Sequence, residues 1–348
     1  MEIIMSWYNT EGKCPHNAIF SKTRYLRNIS GLPFPHRAGE KLLEPYFAKI
    51  DSLLSKNGFR KEAIPGGDSP QLFSLAEKGF VDAEFLASES TRAIYFNEPC
   101  SLAVAVGGKD LITICSLLSG RALTETRNIA SGAEELLDGE FEFAYSDHTG
   151  YISHAPALCG SGAEFSVMLY LPALSQSGQI EKTERFCHRL SAKLTPAFTY
   201  PDGDLFTLSY SPSHNQDENA AAEGFDGFVG KLIEEERALE RMIFAEKSKI
   251  IIEKAWRAYG ILLYARHIDE KELLSLSSDI RFALSATDSQ AKLPPVGIKD
   301  LNFMLAEGLN ASVIAKKGSS ITEEDCRHAR AEIISGFLYS DATKTDKG

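Results

Sequence analysis

Ala93-Ile94-Tyr95-Phe96-Asn97-Glu98-Pro99-Cys100-Ser101-Leu102-Ala103-Val104-Ala105-Val106-Gly107-Gly108-Lys109-Asp110-Leu111-Ile112-Thr113-Ile114-Cys115-Ser116 is the most informative run in this 348-residue sequence. Three short apolar segments, 93–96, 101–106 and 111–116, are rich in β-branched residues and separated by turn signals, Gly107-Gly108 among them. The links are too short for the helical crossovers that parallel strands require, so the segments read as neighbouring strands of a largely antiparallel sheet. Further strands are expected at 165–171 and at 205–210, the latter after the turn signal Pro201-Asp202-Gly203-Asp204. Helices fit 39–57, 124–137 and 180–193. The polar stretch 212–224 lacks periodicity and reads as a loop or hinge.

From residue 225 to about 266 the texture changes. Leu232, Leu239, Met242 and Ile243 recur at helical steps, with Glu and Arg on the other faces. Asp269 with Glu272 three residues on has the spacing of a capping box. Two more helices are expected at 298–309 and 322–338, the last opening on Thr322-Glu323-Glu324-Asp325, whose acids favour the helix dipole. The expected organisation is α+β: an antiparallel sheet flanked by helices over 1–223, a helical domain over 224–340 and a frayed tail over 341–348. No internal repeat is visible.

Composition narrows the function classes. The chain carries 37 basic and 48 acidic residues, a net charge of −11, and no long basic run, which disfavours a nucleic-acid groove. Apolar runs such as 167–174 are far too short to cross a bilayer, and residues 1–10 lack the basic flank and apolar core of a secretory signal. Six cysteines without a Cys-x-x-Cys pair suit buried thiols in a reducing cytoplasm rather than a disulfide framework.

Most local patterns have a bland explanation. Cys14-Pro15-His16 and Cys326-Arg327-His328 pair a thiol with an imidazole, but a closed zinc site needs four ligands, and coincidence is the better reading. Gly160-Ser161-Gly162 lacks the Gly-x-Ser-x-Gly spacing of a nucleophile elbow and the Gly-Lys-Ser/Thr end of a P-loop, which leaves a tight turn. His148 or His154 with Asp147 or Ser161 would be an arbitrary acyl-transfer selection. The cluster Lys22, Arg24, Arg27 differs, because residues two apart in an extended segment share a face and two cations there suit a phosphate. A solvated strand edge is the simpler alternative.

Taken together, the blocks from about residue 18 to 338 resemble the bacterial protein-arginine kinases of the guanido (phosphagen) kinase superfamily. Ser21-Lys22-Thr23-Arg24-Tyr25-Leu26-Arg27-Asn28 followed by Pro33-Phe34-Pro35 is similar to that family's opening block. Gly150-Tyr151-Ile152, Pro156, Gly160-Ser161-Gly162 and Ser166-Val167-Met168-Leu169-Tyr170-Leu171-Pro172-Ala173-Leu174 are similar to its core signature. Ala255-Trp256-Arg257-Ala258-Tyr259-Gly260-Ile261-Leu262, Ala265-Arg266 and Asp279-Ile280-Arg281 resemble its C-terminal domain. The resemblance implies a homodimer and an ATP site at Ser21, Lys22, Thr23, Arg24, Ser166, Val167 and Met168. It also implies partners: an active arginine kinase, its zinc-binding activator, or the Clp machinery. Nucleic acid and membrane are not among them.

The departures from the family pattern carry chemistry. The family strand Asn-Glu-Glu-Asp-His-Leu-Arg corresponds to Gly107-Gly108-Lys109-Asp110-Leu111-Ile112-Thr113, so Lys109 replaces a glutamate. A phosphate-binding Arg corresponds to Glu164, Cys-Pro-Thr-Asn to Ala155-Pro156-Ala157-Leu158, and the Gly-Glu-Gly loop has no counterpart in 195–204. Unit charges 4 Å apart at an effective permittivity near 20 interact by about 4 kcal/mol, so each reversal of sign opposes guanidino phosphorylation strongly. The expectation is a pseudokinase with no catalytic residues, Lys109, Asp110 and Glu164 being degenerate positions. It would carry no resident metal or cofactor, with ATP and Mg²⁺ only if nucleotide binding survives. Lys109 and Glu164 are further expected to form an ion pair. In the helical domain the family's Arg-Asp-x-x-Arg-Ala becomes Cys326-Arg327-His328-Ala329-Arg330-Ala331, which leaves Arg327 and Arg330 as candidates for a phosphate. The rival reading keeps an active phosphotransferase in which Asp110, Asp147 or Glu98 supplies the missing carboxylate.

Overall fold

Strands β1 (Ala18–Arg27), β2 (Arg60–Glu62), β3 (Ala93–Phe96), β4 (Leu102–Val106), β5 (Ile112–Ser119), β6 (Tyr145–Ser146), β7 (Gly150–Tyr151), β8 (Ala163–Tyr170), β9 (Ala192–Pro196) and β10 (Leu205–Tyr210) alternate with helices along the first 210 residues. Those helices are α1 (Ser6–Asn9), α2 (Glu40–Lys56), α3 (Pro70–Glu77), α4 (Ala83–Leu86), α5 (Leu123–Asp138), α6 (Pro172–Gln176) and α7 (Ile180–Arg189). Helices α8 (Glu218–Tyr264), α9 (Glu270–Ala286), α10 (Ile298–Glu307), α11 (Asn310–Lys317) and α12 (Glu323–Thr345) complete the chain. This computed structural model describes residues 6–62, 64, 69–88, 91–198, 203–286, 293–318 and 321–345. Part of the turn signal at 201–204 and residues 346–348 of the expected tail lie outside them. The chain forms two compact units. One comprises 1–7, 20–167 and 209–227, the other 8–19, 168–208 and 228–348.

In the first unit the strands run β2-β3-β4-β5-β1-β8. The three segments that open the sequence reading pair as expected: β3 with β4 and β4 with β5, both antiparallel. Every residue of β3 and β4 is buried. A strand apolar on both faces has neighbours on both sides of the sheet, which explains why these runs do not alternate. β1 pairs antiparallel with β5, and α5 packs on β5. β1 is therefore an interior strand, and the solvated edge expected for Lys22, Arg24 and Arg27 is not found. Arg27 is 1% exposed, paired with Glu134 at 2.5 Å and stacked over the Tyr151 ring at 3.5 Å.

In the second unit β9 lies beside β10, and most of the remainder is helical. Glu236 of α8 is wholly buried and accepts the Ala173 and Leu174 N–H groups (2.6 and 3.0 Å) at the start of α6. Burial pushes its carboxyl up to about 8, against the pull of those two bonds. Asp269 caps α9 through the Glu272 N–H at 2.7 Å, as its spacing predicts.

Three boundaries differ from the sequence reading, two of them for a local reason. α7 ends at Arg189 rather than 193, because Ser191 takes φ +59° and the chain turns into β9. α8 begins inside the expected loop, where Asp217 accepts the Ala220 N–H at 2.7 Å as a cap. α12 continues to Thr345, beyond the expected end at 338. α8 also carries a non-helical residue, Lys247, at φ −123° and ψ 20°.

Candidate active site and its cleft

The pleat of β1 sorts the opening block into two faces. Ser21 and Thr23 point at the start of α5: the Ser21 hydroxyl donates to Gly120 O (2.8 Å) and accepts the Ala122 N–H (2.9 Å), while Thr23 and Thr126 share a hydroxyl bond of 2.9 Å. Both are buried and hold the helix to the sheet. Lys22 and Arg24 share the opposite face. Arg24 stands opposite Cys115 in the β1–β5 register, and its guanidinium pairs with Asp82 and, at 3.1 Å, with Glu164 of β8. Burial works against the Arg24 charge, but Glu164 and Asp82 outweigh it and hold the guanidinium above its usual range. Asp82 is itself fixed, since it caps α4 through the Phe85 N–H at 2.8 Å. Beneath this cluster, burial pushes the Cys115 thiol up to about 11 despite Lys22 and Arg24 nearby. It is an inert thiol at neutral pH.

The expected Lys109–Glu164 ion pair is not formed. Glu164 is taken by Arg24, and among the described residues Lys109 has no carboxylate within ion-pair reach. The topology gives the reason. β1 lies directly beside β8, whereas the loop that carries Lys109 joins β4 to β5, with β5 and β1 intervening.

That loop is built on a glycine. Gly107 sits at φ +93°, donates its N–H to Leu111 O at 2.8 Å, and would press an added Cβ to 2.0 Å from Thr91 O. The turn buries Asp110, 3% exposed, where its carboxylate accepts four hydrogen bonds. Asn28 Nδ2 (2.6 Å) and the His154 N–H (2.9 Å) reach Oδ1, while the Ser153 hydroxyl (2.8 Å) and His154 Nδ1 (2.9 Å) reach Oδ2. His154 Nε2 lies 3.4 Å from Glu84 Oε1. Donor atoms of Glu84, Asp110 and His154 come within 4.8 Å of one another. The set does not fit a magnesium ion: Asp110 is saturated by hydrogen bonds, and an imidazole is a poor ligand for so hard a cation. Lys109 and His154 line a cleft of about 910 Å³ against α2.

Other sequence candidates are dispersed. Asp147 and Glu98 are exposed, and His148 is exposed too. Ser161 donates its hydroxyl to Pro212 O at 2.8 Å and supports a turn, as expected. Ser166, Val167 and Met168 are buried in β8, and the Ser166 hydroxyl has no partner among the described residues. All six cysteines are free thiols. Arg330 is 1% exposed and donates to Gly308 O (2.6 Å), Ile268 O (2.8 Å) and Asn310 Oδ1, while exposed Arg327 pairs with Glu323 at 2.5 Å. Asp82, Glu84 and Cys115 had no role in the sequence reading of the site, Asn28 entered only as part of the opening block, and His154 only as an arbitrary acyl-transfer candidate. Only Asp82 carries a local signal, as an N-cap residue three before Phe85.

Comparison with known proteins identifies the family and the fold. The model of the ATP:guanido phosphotransferase C-terminal catalytic domain matches residues 59–239. A protein-arginine kinase of Syntrophomonas wolfei subsp. wolfei is 26% identical over 344 residues, covering 96% of this chain and 95% of its own. Lombricine kinase superposes with a TM-score of 0.55 at 17% identity, covering 67% of this chain and 70% of its own. The substrate-free duplicated taurocyamine kinase from Schistosoma mansoni gives 0.54 at 20% identity and 68% of this chain, which spans only 34% of that longer protein. At these identities the two structures testify to a common fold. With more than half of the sequence matched by the family model, the chain belongs to the ATP:guanido phosphotransferase family.

Proposed function

We propose that this family member is catalytically silent and acts as a binding or regulatory protein. One observation carries the reading. Arg24, one of the opening-block cations suited to a phosphate, spends its guanidinium on Asp82 and Glu164 instead of presenting it to one. On that face Asp82 and Glu164 neutralise Arg24 and leave Lys22 as the cation without a carboxylate partner among the described residues, whereas catalysis of phosphoryl transfer is mainly positioning and neutralisation by several charges. Lys109, at the position of a family glutamate, opposes a guanidinium in the same way. ATP with Mg²⁺ would bind weakly or not at all.

The setting we infer is cytoplasmic. No described helix is long and apolar enough to cross a membrane, which is consistent with that setting. A homodimer formed through the helical segment, and association with an active arginine kinase, its zinc-binding activator or the Clp machinery, follow from the family resemblance. A working protein-arginine kinase with a rebuilt site is the second reading, favoured by similarity to protein-arginine kinases along nearly the whole chain. Calorimetry with Mg-ATP, followed by an assay for phosphoarginine on a protein substrate, separates them. Absence of heat at millimolar nucleotide and of any phosphoarginine is the expected result. Transfer at several turnovers per second overturns it.

A further inference from the structure

We propose that the cleft beside the β4–β5 loop binds a small organic monocarboxylate with an apolar body, seated on Lys109. The proposal rests on the preceding reading in one respect, that the cleft takes a guest rather than a phosphoryl acceptor.

The argument begins with volume. About 910 Å³ lies at the upper end of the range occupied by small-molecule pockets. Leu43 and Phe47 of α2 and Ala87 supply the apolar lining, the Phe47 ring lying against Gly107 of the loop. Lys109 is half-buried at the cleft wall and has no ion-pair partner among the described residues. An ammonium that has lost part of its hydration without gaining a counter-ion favours an incoming anion.

The neighbouring acids do not supply that counter-ion. Asp110 follows Lys109 in sequence, yet its four hydrogen bonds turn it inward. Glu84 faces His154 Nε2 at 3.4 Å. His154 is held by Asp110 through both its backbone N–H and Nδ1, which fixes the ring at the cleft wall.

Charge elsewhere in the lining selects among anions. Glu40 and Glu44 of α2 also line the cleft, Glu40 accepting the Thr91 hydroxyl at 3.1 Å. Lys41 lies between them in the same lining, so the two carboxylates are offset by Lys41 and Lys109, and a lining with no excess of positive charge disfavours phosphate and nucleotides. A single carboxylate placed on Lys109, with its apolar body against Phe47 and Leu43, satisfies both walls. A guanidinium or ammonium in that place would oppose Lys109.

Calorimetry on the full chain without nucleotide tests this, with 3-phenylpropionate, 3-phenylpropylamine and inorganic phosphate as probes. The acid is expected to bind with a millimolar or tighter dissociation constant, the amine at least tenfold more weakly, and phosphate neither binding nor competing. Lys109→Met is expected to weaken the acid at least tenfold, and Lys109→Glu to invert the preference between acid and amine. A melting curve checks that each variant folds, and Lys109→Met decides the matter if Lys109→Glu does not. No binding of the acid at millimolar concentration, equal affinity in Lys109→Met, or displacement by phosphate overturns the assignment. Phosphoryl transfer is scored separately. Acid binding together with arginine phosphorylation removes only the silent-enzyme reading, and absence of both removes only the carboxylate site.

Discussion

Replacing Glu164 by Gln removes one charge while keeping an amide oxygen able to accept from Arg24 Nη2, now 3.1 Å from Glu164 Oε2. At that separation and an effective permittivity of about 20, the Coulomb attraction lost is about 5 kcal/mol. Solvent reduces it, because the Glu164 side chain is 26% exposed, and Asp82 remains beside the guanidinium. The expected net loss is about 1–3 kcal/mol in urea unfolding, the range for charge-assisted bonds and partly buried pairs. Glu140→Gln is the control. Its partner Lys49 lies at 3.0 Å, but both side chains are nearly half exposed, and a loss below about 0.5 kcal/mol is expected. The same Glu164→Gln change removes a carboxylate from the phosphate approach and loosens Arg24. If about 1.4–2 kcal/mol of that interaction is redirected to a nucleotide, Mg-ATP affinity rises about ten- to thirtyfold in calorimetry. Stability matching the Glu140→Gln control, with nucleotide binding unmoved, would refute the claim that this pair closes the site.

Gly107→Ala places a side chain at φ +93° and a Cβ 2.0 Å from a carbonyl oxygen, so thermal unfolding should report a loss of about 2–4 kcal/mol. A wild-type melting curve contradicts the turn assignment. His16 in the second unit is held down to about 4 by burial and then by Arg281 and Arg237. Its folded value lies below the unfolded one near 6.5, so its contribution is intact above pH 6.5 and declines as pH falls through 6.5 towards 4. Urea midpoints across that window should fall in the wild type and flatten in His16→Asn; parallel curves count against it. Arg330→Met leaves the Gly308 and Ile268 carbonyls without their donor and should cost about 3 kcal/mol, with Arg330→Lys recovering only part. An unchanged denaturation midpoint would show that those bonds add nothing.

The sheet was legible because its signal is local. Residues 93–116 state strand, turn and strand through apolar runs and a glycine pair, and β3, β4 and β5 fall within a few residues of that reading. The same holds for α2, α5 and the caps at Asp269, where periodicity and short-range hydrogen bonding act within a few turns. Boundaries at Ser191 and Asp217 were hidden, since a positive φ and one side-chain cap outweighed the run of propensities around them.

Charge signs at Lys109 and Glu164 could be read from their letters, and so could the common face of Lys22 and Arg24, because a strand repeats every two residues. Their partners could not. Arg24 meets Asp82 fifty-eight positions away and Glu164 a hundred and forty away, and His154 reaches Asp110 across forty-four. Ion pairs between such distant residues depend on which strand lies next to which, and adjacency is set by the packing of the whole sheet rather than by any segment of it. A chain can announce that a carboxylate stands where a cation is wanted; it takes strand order to say whose charge that carboxylate neutralises.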